Sequence, residues 1–276
     1  MNDSVVTGIT APLRRIPALL GWTRASYYLL SVFLLTIFLI VYIWWPLAEE
    51  VLSYVDWSGP WWLYMDWLLL GIFAAMTLLI MSRANLRADA LTVLVGMAGG
   101  LVIEAWGTQT NLWVYYTNER PPLWIIPAWP IASLSIDRIV RLLRKLLPEG
   151  HPWLCGAMYW LVFSVFYALM LVFVAPTLDK SFTWLALLFS AALILIPGDR
   201  RTALLTFVAG SGLGYFLELW GTTRACWTYY TYETPPLFAI FAHGMAALAF
   251  WQVAQVLSKI YRGIRRGIVK WGVNEK

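Results

Sequence analysis

Eight long apolar runs set the terms for this chain. They lie at about 25–48, 61–81, 90–107, 121–144, 152–176, 182–198, 202–221 and 235–258. A helix needs about 20 apolar residues to cross the roughly 30 Å of bilayer hydrocarbon, and these runs are of that order. They are continuously apolar and lack period-two alternation, which excludes a membrane β-barrel. Only 13% of the 276 residues are charged and 61% are hydrophobic, whereas soluble domains carry about a quarter charged residues. The 18 Trp and 14 Tyr suit the headgroup level, where amphipathic rings collect.

The loops between the runs predict the orientation. Arg14, Arg15, Arg24, Arg83, Arg87, Arg138, Arg141, Arg144, Lys145, Arg200, Arg201 and the basic residues from Lys259 onward fall on one side. Arg120, Lys180 and Arg224 fall on the other. Positive charge marks the cytoplasmic side, so both termini are expected there, in a multi-pass protein of the cell membrane. An even number of spans agrees with that. No small-residue cleavage site precedes the first run, which is expected to remain as an anchor. Cys155 and Cys226 are too few for a disulfide framework and are expected near opposite faces.

An internal repeat adds the next constraint. Glu104-Ala-Trp-Gly-Thr followed by Trp113-Val-Tyr-Tyr-Thr-Asn-Glu-Arg-Pro-Pro-Leu123 recurs as Glu218-Leu-Trp-Gly-Thr followed by Trp227-Thr-Tyr-Tyr-Thr-Tyr-Glu-Thr-Pro-Pro-Leu237. The offset is 114 residues without a gap, and 12 of 20 positions are identical. Chance does not produce this, so duplication is the reading. The predicted fold is an all-α integral membrane protein, with eight transmembrane helices as two parallel four-helix repeats. The divisions are a cytoplasmic or interfacial segment at 1–24, repeats at 25–147 and 148–258, and a basic interfacial tail at 259–276. Parallel repeats place a symmetry axis along the membrane normal. Gly96 and Gly100 match Gly210 and Gly214, and each pair is a small-residue face for close helix packing. The Gly-Ser-Gly-Leu-Gly string at 210–214 therefore reads as packing rather than a phosphate loop. The tail interleaves Ile260, Ile264, Ile268 and Trp271 with basic residues, which suits an anionic lipid surface and not nucleic acid.

Ionisable residues at membrane depth are costly and default to function. Glu104 and Glu218 occupy equivalent positions near the ends of the third and seventh runs. If they meet across the axis, their proton affinities split, and one serves as acid while the other serves as base. Each can also cap its own loop, accepting from Thr108 and Tyr115–Tyr116, or from Thr222 and Tyr229–Tyr230. The loops supply Trp106, Trp113, Tyr115, Tyr116, Trp220, Trp227, Tyr229 and Tyr230, whose ring faces can steady a cation. His243 lies about 12 Å inside the last run at 1.5 Å per residue. The 114 offset pairs it with Trp129, so it breaks the symmetry; it reads as a proton relay or as a donor to a neighbouring carbonyl. Asp66 is a further candidate for the site. Asp137 is expected to pair with Arg138 or Arg141, and Glu119 and Glu233 to hold turns. Two histidines, with no metal spacing and no magnesium-binding aspartate pair, leave chemistry without a metal or cofactor as the expectation.

Glu104-x-x-Gly107-Thr108-x-Thr110, Tyr115-Tyr116-Thr117, Pro122 and Ile126-Pro127-x-Trp129 resemble the integral-membrane carotenoid biosynthesis protein family, which includes carotenoid 1,2-hydratases. The likeness covers about 30 residues of the first copy and is weaker in the second, and Asn111-Leu112-Trp113 departs from the family turn. The resemblance implies addition of water to a terminal isoprenoid double bond, with a membrane lipid or polyene as substrate. The expected activity is a metal-free hydratase, or a related cyclase or isomerase; the acid and base roles of Glu104 and Glu218 are read from the repeat and are not supplied by the resemblance. The rival readings are a proton- or cation-coupled transporter and a scaffold in which both Glu residues are structural.

Overall fold

The computed structural model describes residues 20–196 and 198–273, with side chains described as far as residue 264. Among the described residues the architecture is all-helical apart from one two-stranded ribbon. In chain order it comprises α1 (Arg24–Ile43), α2 (Trp45–Ser53), α3 (Trp67–Met81), α4 (Leu86–Gln109), β1 (Trp113–Tyr115) and α5 (Ala128–Leu146). These are followed by α6 (Pro152–Val174), α7 (Ser181–Leu195), α8 (Arg200–Thr223), β2 (Trp227–Tyr229) and α9 (Leu237–Val273).

Among the described residues six helical segments are long and apolar enough to cross a membrane: Arg24–Ile43, Leu86–Gln109, Leu123–Leu146, Pro152–Thr177, Arg200–Thr223 and Leu237–Ile264. Their outer surfaces are apolar. Phe38, Val102, Leu161 and Val172 are each about two-thirds exposed or more, as a lipid-facing surface requires.

The remaining two apolar runs form shorter helices. Helices α3 and α7 have 15 residues each, about 22 Å of rise. The 61–81 run is divided because Trp61–Tyr64 is a separate 3-10 turn and Asp66 starts α3 by accepting the Leu69 N–H. An N-cap carboxyl satisfies donors that the first helical turn leaves free, which fixes the start at that point. Helix α7 stops just before the Ile196–Pro197 step, since the residue before proline is driven out of helical geometry. The 25–48 run is broken too. Helix α1 ends at Ile43 and α2 begins with Pro46 in its first turn, because proline lacks the N–H that a continuous helix needs. At the other end, α9 runs without a break through the division expected at 258. Residues 1–19 and 274–276, and the side chains after 264, lie outside the described residues, so the interfacial tail is traced only in part.

Helices α4 and α8 organise the rest. Each has 24 residues, and their starts and ends are offset by 114. Asn85 caps α4 by accepting the Arg87 and Ala88 N–H groups, and Asp199 caps α8 by accepting those of Arg201 and Thr202. The start of α4 lies against the end of α5 through Arg138 and Asp89. The start of α8 lies there too, because the Arg201 guanidinium donates to Leu147 O. Both helices finish at the ribbon, so they run the same way.

Glycines bring α4 and α8 onto their partners. A Cβ at Gly96 would stand 3.2 Å from Pro130 Cα, and one at Gly210 would stand 2.8 Å from His243 O. Both faces therefore act as packing surfaces within helices, including the 210–214 string. The ribbon is antiparallel and pairs Trp113 with Tyr229, Val114 with Thr228 and Tyr115 with Trp227. Val114 and Thr228 are equivalent positions of the repeat and face each other.

One buried ion pair has no counterpart in the other half. Arg138 on α5 contacts Asp89 on α4 at 2.6 Å and Asp137 at 2.5 Å, and it donates to Ser82 O from Nε. Asp137 also pairs with Arg141 at 2.8 Å, so both expected partners are used. At the 114 offset the equivalents of Asp89 and Arg138 are Ala203 and Gln252. Replacing Arg138 by Met leaves Asp89 buried without its cation, which costs about 3–5 kcal/mol. The purified variant should melt well below wild type in a thermal unfolding assay, and an unchanged midpoint would refute this account of the pair.

Candidate functional site

The ribbon exists to turn side chains back toward α4 and α8. Two residues beyond each helix stands a residue with positive φ, Asn111 at 60° and Ala225 at 53°. The following amide bonds back to the helix, Leu112 N–H to Gly107 O and Cys226 N–H to Gly221 O, both at 2.9 Å. The chain then reverses into three extended residues. Alternation along a strand puts Trp and Tyr two residues apart on one face, and that face looks at the glutamate.

The outcome is a doubled carboxyl clamp. The Glu104 carboxyl accepts from Trp113 Nε1 at 3.1 Å, Tyr115 OH at 2.9 Å and Trp129 Nε1 at 3.2 Å. The Glu218 carboxyl accepts from Trp227 Nε1 at 2.9 Å and Tyr229 OH at 2.9 Å, and it meets His243 Nε2 at 2.8 Å. Both glutamates are 3% exposed. Three partners around a buried carboxyl offset the cost of removing it from water. Trp129 and His243 occupy the same position in the two clamps, and their rings stack at 5.8 Å and 19°. That stack joins one clamp to the other.

Glycine makes the clamp possible. The indole of Trp113 lies on Gly107 and that of Trp227 lies on Gly221. A Cβ at either glycine would stand within about 2 Å of the ring. Trp129 likewise sits on Gly100, and His243 on Gly214.

Both clamps open onto one cavity of about 200 Å³. Its wall is almost wholly apolar, and Glu104, Glu218 and His243 are among its few polar members. Along α1 and its cap residue it is lined from Phe33 to Trp44, about 16 Å at the helical rise, so it is an elongated slot. Leu69, Ile72, Phe73 and Met76 of α3 complete that side. On the opposite flank the space is filled, where Phe163, Phe166, Met170 and Phe173 of α6 pack in one cluster with Phe207 and Phe238.

Trp106, Trp113, Tyr115, Trp220, Trp227, Tyr229 and His243 all line the cavity. Tyr116 and Tyr230, also expected there, do not. Each follows the inward tyrosine and so points the other way, and the Tyr230 hydroxyl donates to Phe173 O. The threonines differ from expectation as well. Thr108 and Thr222 donate to the backbone carbonyls of Glu104 and Glu218, not to their carboxyls. A helical threonine reaches the carbonyl four residues back more readily than a side chain on the same face. His243 meets a carboxyl rather than a carbonyl. Asp66 accepts from Trp220 Nε1 at 2.8 Å and pairs with Arg224 at 2.9 Å, holding the cavity wall from outside. Glu119 accepts from Thr117 and Trp124 in its turn. Cys155 and Cys226 are both free thiols.

Trp44 and the ligand role of Trp129 escaped the sequence reading. Trp44 stacks on Trp220 at 5.5 Å, and its buried Nε1 has no hydrogen-bond partner among the described residues. It lies 60 residues before Glu104, with nothing local to connect the two. Trp129 was signalled by its 114-residue pairing with His243. Among the described residues no group of three His, Cys, Asp and Glu side chains is arranged to hold a metal ion.

No family model, curated protein or solved structure matches this chain.

Replacing Gly107 or Gly221 by Ala forces the indole off its helix and strips a donor from the buried glutamate. Overpacking of this kind costs about 1–3 kcal/mol and a lost hydrogen bond to a charged group about as much again. Each variant should show a lower melting temperature and altered tryptophan fluorescence. Unfolding curves that overlay wild type would contradict the clamp.

Proposed function

We propose that this protein is a membrane enzyme that acts on a long isoprenoid or polyene lipid by protonating an alkene. Hydration, cyclisation or isomerisation then ends the reaction. One observation carries the reading: two buried glutamates converge on a single elongated apolar slot walled by aromatic rings. A carboxyl-based acid in a dry site can deliver a proton to a double bond. The cation that results is steadied by ring faces and by the negative charge of a nearby carboxylate. Trp44 lines the same slot, and its buried indole N–H has no hydrogen-bond partner among the described residues. A carotenoid-like substrate is the specific form of the proposal and rests on the motif resemblance.

The same reading assigns a topology. Helices α3 and α7 complete eight spans in two four-helix units with the same orientation, and both termini are cytoplasmic. The shared direction of α4 and α8 supports it, as do the matched caps at Asn85 and Asp199 and the charge asymmetry of the loops. The clamps then lie toward the extracytoplasmic side, and the basic stretch after Lys259 rests on anionic lipid.

Lipid extracts from cells with and without the protein should differ by the mass of water, or in retention at unchanged mass. Replacing Glu104 or Glu218 by Gln keeps volume but removes a carboxylic acid, and at least one of the two changes should lower conversion by about 100-fold or more. Full conversion by both variants would end the acid–base reading. Unchanged lipids together with proton-dependent uptake into vesicles would favour a transporter.

A further inference from the structure

The two clamps differ in one respect that bears on where a proton can reside. At Glu104 two of the three partners are indoles, and an indole N–H only donates. At Glu218 the third partner is an imidazole, which can donate or accept at either nitrogen. His243 Nε2 is engaged with Glu218 Oε1 at 2.8 Å, while Nδ1 makes no hydrogen bond among the described residues. The Cβ–Cγ–Cδ2 side of the ring rests on Gly214 and one face lies on Trp129. His243 lines the cavity, so Nδ1, the nitrogen that Glu218 does not engage, is the one left for a ligand.

We infer that Glu218 and His243 form the proton-donating pair of this site, with His243 Nδ1 as the atom that meets the substrate, and that Glu104 is a fixed acceptor that exchanges no proton. This rests on the alkene-protonating reading above and divides the two glutamates by role. The ionisable groups around His243 are Glu218 on α8, Tyr229 on β2, and Glu104 with Tyr115 reached through Trp129.

The step balances within the pair. Imidazolium Nδ1–H gives its proton to one alkene carbon, the π electrons form the new C–H bond, and the neighbouring carbon becomes cationic. Neutral His243 keeps its Nε2–H on the Glu218 carboxylate. Water then adds to the cation and its surplus proton returns to Nδ1, giving net hydration. Alternatively, Nδ1 takes a proton from an adjacent carbon and the double bond is displaced.

The equivalent residue supplies the control. Trp129 donates an N–H to Glu104 from a ring seated on glycine, so His243→Trp offers Glu218 the same kind of donor without a proton to exchange. His243→Gln is a smaller second variant that also keeps an N–H. Both should stay folded by melting temperature and lose conversion by about 100-fold or more. The chain has only two histidines, His151 and His243. Nitrogen-15 spectra of histidine-labelled protein in nanodiscs should therefore show the His243 signals moving strongly in Glu218→Gln and little in Glu104→Gln. Folded His243 variants with full conversion would overturn the assignment, as would His243 signals indifferent to Glu218→Gln. If wild type converts no lipid while the spectra behave as expected, the enzyme reading fails and the shared-proton pair stands.

Discussion

A carboxyl group withdrawn from water must be met by donors, or its burial destabilises the fold. At Glu104 and Glu218 those donors come from the segment immediately after the helix that carries the glutamate, and from the helix beyond it. Each glutamate therefore ties together a helix end, a reversal, a strand and the next helix. The glycines four residues before the reversals follow from this, because an indole must lie flat on the helix to reach back one turn and a half. The positive-φ residues and the three-residue strands follow as well. The ribbon is short because it only has to place one Trp and one Tyr, and pairing the two strands secures both placements together.

Around this matched centre the surroundings are unequal. Phenylalanines of α6 fill one flank, whereas α1 and α3 leave a slot on the other. The Arg138–Asp89 pair belongs to the open half alone. It fastens α5 to α4. A ligand in the slot would meet both carboxyl clamps yet approach them from a single direction.

Much of this was legible in the residue string. The long apolar runs marked the helices, because lipid-facing helices tolerate little else. The 114-residue offset marked Glu104 and Glu218 and placed Trp129 opposite His243. What escaped was set by local stereochemistry or by distance. Hydropathy does not register that Pro46 divides α1 from α2, or that Asp66 begins α3 late enough to leave it at 15 residues. The Tyr115-Tyr116 and Tyr229-Tyr230 pairs looked uniform until strand alternation sent one of each pair away. Trp44 joins the site only through tertiary packing, from a stretch with no motif of its own.

A symmetric dimer of identical subunits must show the same residue twice at any position related by its axis. One continuous chain with two matching clamps is free of that restriction. It can keep an indole, which only donates, at 129 and place an imidazole, which can donate or accept, at 243, with the two rings in contact. Covalent continuity thus permits a division of labour between neighbours that strict self-association forbids.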